Sequence, residues 1–303
     1  MEKSRQAQGN QPALPGNLSK DSLTTIIIIG VLALVILRWN DFVSIFVNVM
    51  LWLYDLLGRG ENAFGFTIIL FTILIRLVTW PLNAQQLKSA KAMQEFQNDK
   101  EWQKIQKKYA KDREKLAQEQ MRLYSERGIS PFSSCLPLLI QMPVWFAVIQ
   151  ALNRSLASTP LALLQFARSV YTWPEKIIPS LSATSLVPIN NKFLWLNLGT
   201  PEFTHIFGFN IPILVLLVGI TSYFQSKLLT PVSSNPNDQS AQMSRSMTWM
   251  MPIMMIMFAY AYSSGFALYL LVSNIFAIIQ ALIQGKASLG NLLPGGDKQA
   301  QPK

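Results

Sequence analysis

The chain has 303 residues, 50% of them hydrophobic and 14% charged, with a formal net charge of +10 and a mean hydropathy of +0.26. Soluble domains carry about 25% charged residues, so the polar surface needed to coat two or three soluble domains is missing, which argues against a soluble enzyme. One cysteine and one histidine exclude an internal disulfide and any multi-cysteine or paired-histidine metal site, and argue against a histidine relay. No cofactor and no metal is expected. The basic balance suits nucleic acid or an anionic membrane surface, and the placement of the charges decides between them.

Residues 1–22 are polar, without an apolar period, and read as a disordered tail. Residues 23–37 form a largely apolar run of 15 residues without charge, short for a bilayer crossing, which takes about 20. They are expected to be an N-terminal membrane anchor (23–40), with a cleaved signal as the alternative. In 41–57, Asp41, Ser44, Asn48 and Asp55 share one helical face. That stripe predicts an interfacial helix over 41–62, a second span being the alternative. The insertion-competent length begins at 63: 63–82 is a core span broken only by Arg76, with Pro81 at its end.

Residues 83–130 carry eleven Lys and Arg and seven Asp and Glu. Trp102, Ile105, Tyr109, Leu116 and Leu123 keep a heptad-like spacing, which predicts two helices folded as a hairpin outside the bilayer. Residues 131–152 are a second core span, 153–206 a proline-broken loop, 207–229 a third span and 230–245 a polar loop. Residues 246–262 and 266–284 are two more spans around the turn Ser263-Ser264-Gly265, followed by a polar tail, 285–303. With the N-terminus inside, eighteen Lys and Arg fall on the inner side and six on the outer, so the positive-inside rule places both termini in the cytoplasm. The basic charge is a membrane-face feature, and no direct nucleic-acid specificity is expected.

Arg76 is the sharpest chemical signal. It falls in the inner half of the bilayer, where an arginine costs at least about 2.5–3.5 kcal/mol. No Asp or Glu lies in any core span, so a wet cavity is expected around it, with snorkelling to the interface as the alternative. Thr72 is one turn before it on the same face. Gln141, Thr221, Gln225, Asn274 and Gln280 add uncharged polar groups in other spans, and suggest a polar groove unless each is a plain interhelical hydrogen bond. Seven of the twelve methionines fall within 243–257. Met247, Met251 and Met254 are read as an apolar surface for a sliding substrate, or as packing. Cys135 reads as a packing residue and His205 as inert.

Several stretches resemble the YidC/Oxa/Alb family of membrane protein insertases. They are 73–82 (ILIRLVTWPL), 104–115 (KIQKKYAKDREK) and 130–152 (SPFSSCLPLLIQMPVWFAVIQAL), with Phe193-Leu194-Trp195, the Tyr-Phe-Gln-Ser of 211–231, and Leu268-Tyr269 and Ser273-Asn274 in 247–280. The likeness spans about 42–284 and is to the bacterial type without a large periplasmic domain. It departs at Ser263-Ser264-Gly265, where Pro-Gly is common, at Leu270, where an aromatic is common, and at Asn98 in place of a proline. The resemblance implies an all-α polytopic membrane protein: a five-helix insertase core (63–284) around a hydrophilic groove, with anchor, interfacial helix and cytoplasmic helical hairpin. It implies a non-enzymatic insertase and chaperone in the bacterial plasma (inner) membrane, alone or with the Sec translocon. Arg76 and Gln225 would line the groove with Thr72, Gln141, Thr221 and Asn274. Lys104, Lys107, Lys108 and Lys111 would make the hairpin's contacts. Expected partners are nascent membrane proteins, the lipid bilayer, ribosome–nascent chain complexes and the Sec translocon. The competing class is a secondary transporter; no internal repeat supports it. An intramembrane protease would need a nucleophile–base pair that the sequence lacks.

Overall fold

The computed structural model describes residues 30, 34–97, 99–109, 112–128, 136–156, 164, 166, 189–202, 204–206, 209–229 and 239–284. The expected tails, most of the anchor segment, Lys111, Cys135 and most of the loop 153–188 lie outside the described residues. The chain divides into units of 1–39 and 40–303. The described architecture of the second unit is helical, with two small antiparallel strand pairs.

Helix α1 (Trp39–Leu56) buries Val43, Ser44, Val47, Met50, Leu51 and Tyr54, an i, i+3/i+4 stripe that defines one packed face. Ser44 belongs to that buried face rather than to the expected polar one. Its hydroxyl can be buried because it donates to the Asn40 carbonyl at 2.8 Å, and the Asn48 amide donates to the Ser44 carbonyl at 2.7 Å. α1 meets helix α2 (Ala63–Val78) through edge-on ring pairs, Phe46 with Phe71 and Tyr54 with Phe64.

The first core span is shorter than expected. α2 stops at Val78, and helix α3 (Trp80–Gln97) leaves at a bend of 57°. Thr79 caps the break: its N–H donates to the Ile75 carbonyl at 2.9 Å and its hydroxyl to the same carbonyl at 2.8 Å. Pro81 therefore sits in the first turn of α3, where a missing N–H is harmless, instead of ending the span.

The expected two-helix hairpin contains a further break. Helices α4 (Lys100–Lys108) and α5 (Arg113–Glu126) follow α3, each opened by an aspartate N-cap, Asp99 and Asp112. Met93, Phe96, Trp102, Leu123 and Tyr124 form a small core with Ile105 and Leu116 packed against it. The heptad-like residues thus converge across the break, with Tyr109 at the edge as the C-cap of α4. Arg127 fastens the unit. It pairs with Asp99 at 2.7 Å and Glu101 at 3.0 Å and lies 5.7 Å from the Phe96 ring centre.

Helix α6 (Leu136–Ser155) contains Pro143. Two hairpins follow that sequence periodicity did not indicate. Strands β1 (Lys192–Phe193) and β2 (Leu196–Asn197) pair Lys192 with Asn197 and Phe193 with Leu196. Strands β3 (Thr204–Ile206) and β4 (Phe209–Ile211) pair Thr204 with Ile211. The third span consequently begins late: 209–211 is strand, and helix α7 runs Ile213–Leu229. Pro212 separates them, and the Glu202 carboxylate accepts the Leu214 N–H at 2.7 Å. Helix α8 (Gln239–Ala261) starts within the expected polar loop, and helix α9 (Ser264–Ile283) closes the described chain.

α9 is the central element, packing on α2, α6, α7, α8 and β2. Among the described residues it is the one helix long and apolar enough to cross a membrane by itself; the bent α2–α3 pair passes the same test together, and α7 and α8 contribute shorter apolar stretches. The β1–β2 hairpin lies over the N-terminal ends of both α2 and α9. The Leu194 N–H donates to Asn62 Oδ1 at 2.6 Å. The Ser264 and Gly265 N–H groups donate to the Thr200 and Leu198 carbonyls at 2.8 and 3.1 Å, which satisfies donors that a helix start leaves orphaned. Two glycines admit this wedge. A Cβ on Gly65 would lie 2.0 Å from the Phe193 ring, and one on Gly265 3.0 Å from the Leu198 carbonyl oxygen.

Gly65→Ala should lower stability by about 2 kcal/mol, the usual scale of overpacking, while Gly60→Ala, with nothing within 4 Å of the new Cβ, should change it little. Thermal unfolding in detergent compares them. In the α3–α5 unit the Arg127 hydrogen bond holds the Asp99 carboxyl below its ordinary value of 3.8. A depressed native pKa adds stability above the unfolded value and loses it as pH falls through the native one. Amide protection in α4 and α5, corrected for intrinsic exchange, should therefore fall below about pH 3.8, and Arg127→Ala should blunt that response.

Candidate functional site

The α2 and α9 helices run in parallel, and their contacts keep step. Ile68 lies against Gly265, Arg76 reaches Ser273, and the Gln280 amide donates to the Trp80 carbonyl at 3.2 Å. At 100° per residue, Tyr269, Ser273 and Gln280 fall on one side of α9, and Asn274 is turned 100° away from Ser273. This spacing divides the polar groups into two clusters instead of one.

The first cluster gathers α2, α6 and α9. Arg76 Nε donates to Ser273 Oγ at 2.9 Å, and Nη2 donates to the same hydroxyl. Tyr269, one turn before Ser273 on α9, is buried beside it, and α6, which carries Gln141, packs on the same helix. Arg76 is half-buried, and among the described residues no carboxylate pairs with it. A guanidinium carries five N–H donors, so a single neutral hydroxyl leaves most of its hydrogen-bonding capacity and all of its charge uncompensated. Thr72, one turn before Arg76, is fully buried and donates to its own Ile68 carbonyl at 2.6 Å. It shapes the face without joining the cluster.

The second cluster joins α9 to α7. The buried Asn274 amide donates to Ser222 Oγ at 2.7 Å and to Thr221 Oγ1 at 3.3 Å. Thr221 in turn donates to the Leu217 carbonyl at 2.8 Å. These groups satisfy one another and act as an interhelical tie. Gln225, one turn beyond Thr221, is half-buried. The structure thus brings Arg76 to Ser273 and Thr221 to Asn274, while Gln141 lies on α6, which packs on α9. Ser273 and Tyr269 were missed as site residues; their i, i+4 spacing on the last apolar helix was the available signal.

On α8 the exposed residues are Trp249, Met250, Ile253, Ile256, Met257 and Tyr260, a stripe at helical spacing. Met251 lies at its margin, Met254 is half-buried, and the Met247 side chain lies outside the described residues. Lys104, Lys107 and Lys108 are exposed on α4, the last with its ammonium 5.1 Å from the Tyr109 ring centre.

A family model described as 60Kd inner membrane protein matches residues 52–289. The chain is 34% identical over 255 residues to the membrane protein insertase YidC of Oceanobacillus iheyensis, covering 82% of this chain and 84% of that protein. It is 34% identical over 248 residues to the membrane protein insertase MisCA of Bacillus subtilis, covering 79% and 78%. A crystal structure of an active YidC insertase with the first transmembrane domain resolved is similar with a TM-score of 0.48 and 24% identity, over 81% of this chain and 46% of that one. The matched family model takes in most of the sequence and the two relatives are covered nearly end to end, so this chain belongs to the 60Kd inner membrane protein family, that of the YidC insertases.

Proposed function

We propose that this protein inserts other membrane proteins into the bacterial plasma membrane and helps them fold, without making or breaking covalent bonds. The observation that carries the reading is Arg76: a cation on an apolar helix, held by a neutral hydroxyl, with no described carboxylate to neutralise it. Such a group is stable at membrane depth only beside water or an anion. A groove lined by the partly exposed Arg76, Gln141 and Gln225, with the buried Ser273 behind Arg76, supplies the water. A translocating acidic segment supplies the anion.

Exposed polar backbone is intolerable in hydrocarbon. A half-hydrated groove shortens the apolar distance that a substrate's polar segment crosses, while the substrate's apolar helix leaves sideways along the exposed stripe of α8. The distribution of Lys and Arg supports an orientation with both termini and the α3–α5 unit in the cytoplasm. There the exposed lysines of α4 would meet the nascent chain, the ribosome that carries it, or the Sec translocon. Residues 41–62 would lie at the outer interface and 23–40 would anchor the chain. Ion-coupled transport finds no support, since α2, α6, α7, α8 and α9 contain no Asp or Glu to couple an ion.

The test is insertion of a short single-span substrate with an acidic outer segment into proteoliposomes that hold only this protein, scored by protease protection against empty liposomes. Protection above the empty control is expected. Arg76→Ala should reduce it by about tenfold, the equivalent of one charge-assisted hydrogen bond. Equal protection by Arg76→Ala and the unaltered protein would remove the arginine from the mechanism.

A further inference from the structure

We propose that Ser273 is a positioning residue for Arg76, held in place by its burial on α9 beside Tyr269; this rests on the groove reading above. A guanidinium can only donate. Nε and Nη2 both donate to Ser273 Oγ, which fills both lone pairs of that hydroxyl. Ser273 and Tyr269, one turn apart on α9, are both buried, so the hydroxyl that holds the guanidinium edge is itself fixed by packing.

This arrangement fixes one edge of the guanidinium. Arginine is a rotamer-rich side chain, and its fork recognises a carboxylate only when the plane is oriented. The Nε–Nη2 edge is turned toward α9, so the Nη1 side is left to face the groove. Ser273 therefore sets the direction in which the charge is offered, and with it the preference for acidic segments over neutral ones. A sequence reader sees a serine beside the more conspicuous Asn274; the register of α9 shows that the two serve different helices.

The experiment measures the ratio of insertion of two substrates, identical except that the outer segment is acidic in one and has Asn and Gln in the other. The unaltered protein, Ser273→Ala, Ser273→Thr and Tyr269→Phe are compared in proteoliposomes. The expected result is a ratio well above one for the unaltered protein and a fall of about three- to tenfold in Ser273→Ala, the effect of losing one hydrogen bond. Ser273→Thr, which keeps the hydroxyl, should recover the ratio, and Tyr269→Phe, which leaves the Arg76–Ser273 bonds in place, should retain it. A ratio retained in Ser273→Ala overturns the positioning role. So does a parallel fall of both substrates, which marks a merely structural serine. A ratio of one in the unaltered protein overturns the charge-selective groove itself, and is distinguishable because it appears before any substitution.

Discussion

A guanidinium placed along an apolar helix has to be solvated by something, and the arrangement around Arg76 depends on how little the protein itself provides. Burial of a lone charge is among the largest penalties a fold can carry, and the usual remedy is a buried carboxylate. Here the core helices contain none. The protein supplies a serine hydroxyl, with the buried Tyr269 one turn away on the same helix. Leaving the charge unneutralised keeps its field available, as the proposed mechanism requires. An internal Glu would give a more ordinary ion pair and extinguish that field.

The cluster can hold its geometry because the helix pair that carries it is fixed at both ends. At the N-terminal ends of α2 and α9, the β1–β2 hairpin enters over Gly65 and Gly265, and the Leu198 and Thr200 carbonyls just after it accept from the first N–H groups of α9. At the other end Gln280 spans from α9 to the Trp80 carbonyl at the bend between α2 and α3, and Asn83 donates to it at 3.5 Å. Between these ties the two helices advance together, so Arg76 and Ser273 meet at a set height. The Asn274 contacts to α7 bind a second side of α9. The helix is thereby held from two directions, while α8 leaves an apolar stripe exposed.

Much of this was legible in the sequence, for physical reasons. Long apolar runs and an isolated arginine are signals that composition alone cannot hide, so the helical class and Arg76 were evident. The α3–α5 core was visible in the spacing of Trp102, Ile105, Leu116 and Leu123, although the break between α4 and α5 was not, because the Asp112 N-cap is a single residue. The two strand pairs escaped notice because two- and three-residue strands have no periodicity. Their register depends on tertiary contacts such as Phe193 on Gly65. The late start of α7 has the same origin: apolar residues 209–211 satisfy a hydropathy window equally well as strand or helix. The site was read as one groove lined by six residues. The register of α9 instead sends Ser273 toward Arg76 and Asn274 toward α7, a distinction of one residue that only the packing of neighbouring helices decides.

The central claim is that Arg76 lies in a hydrated space reached from the cytoplasmic side. Its most direct test is thiol accessibility. In a Cys135→Ser background, Arg76→Cys is exposed to a membrane-impermeant maleimide in sealed vesicles of each orientation. The account predicts labelling from the cytoplasmic face alone, at a rate far above that of a cysteine placed at Leu216, which is exposed on the apolar helix α7. Absence of labelling from both faces, or equal labelling from the two, would contradict it.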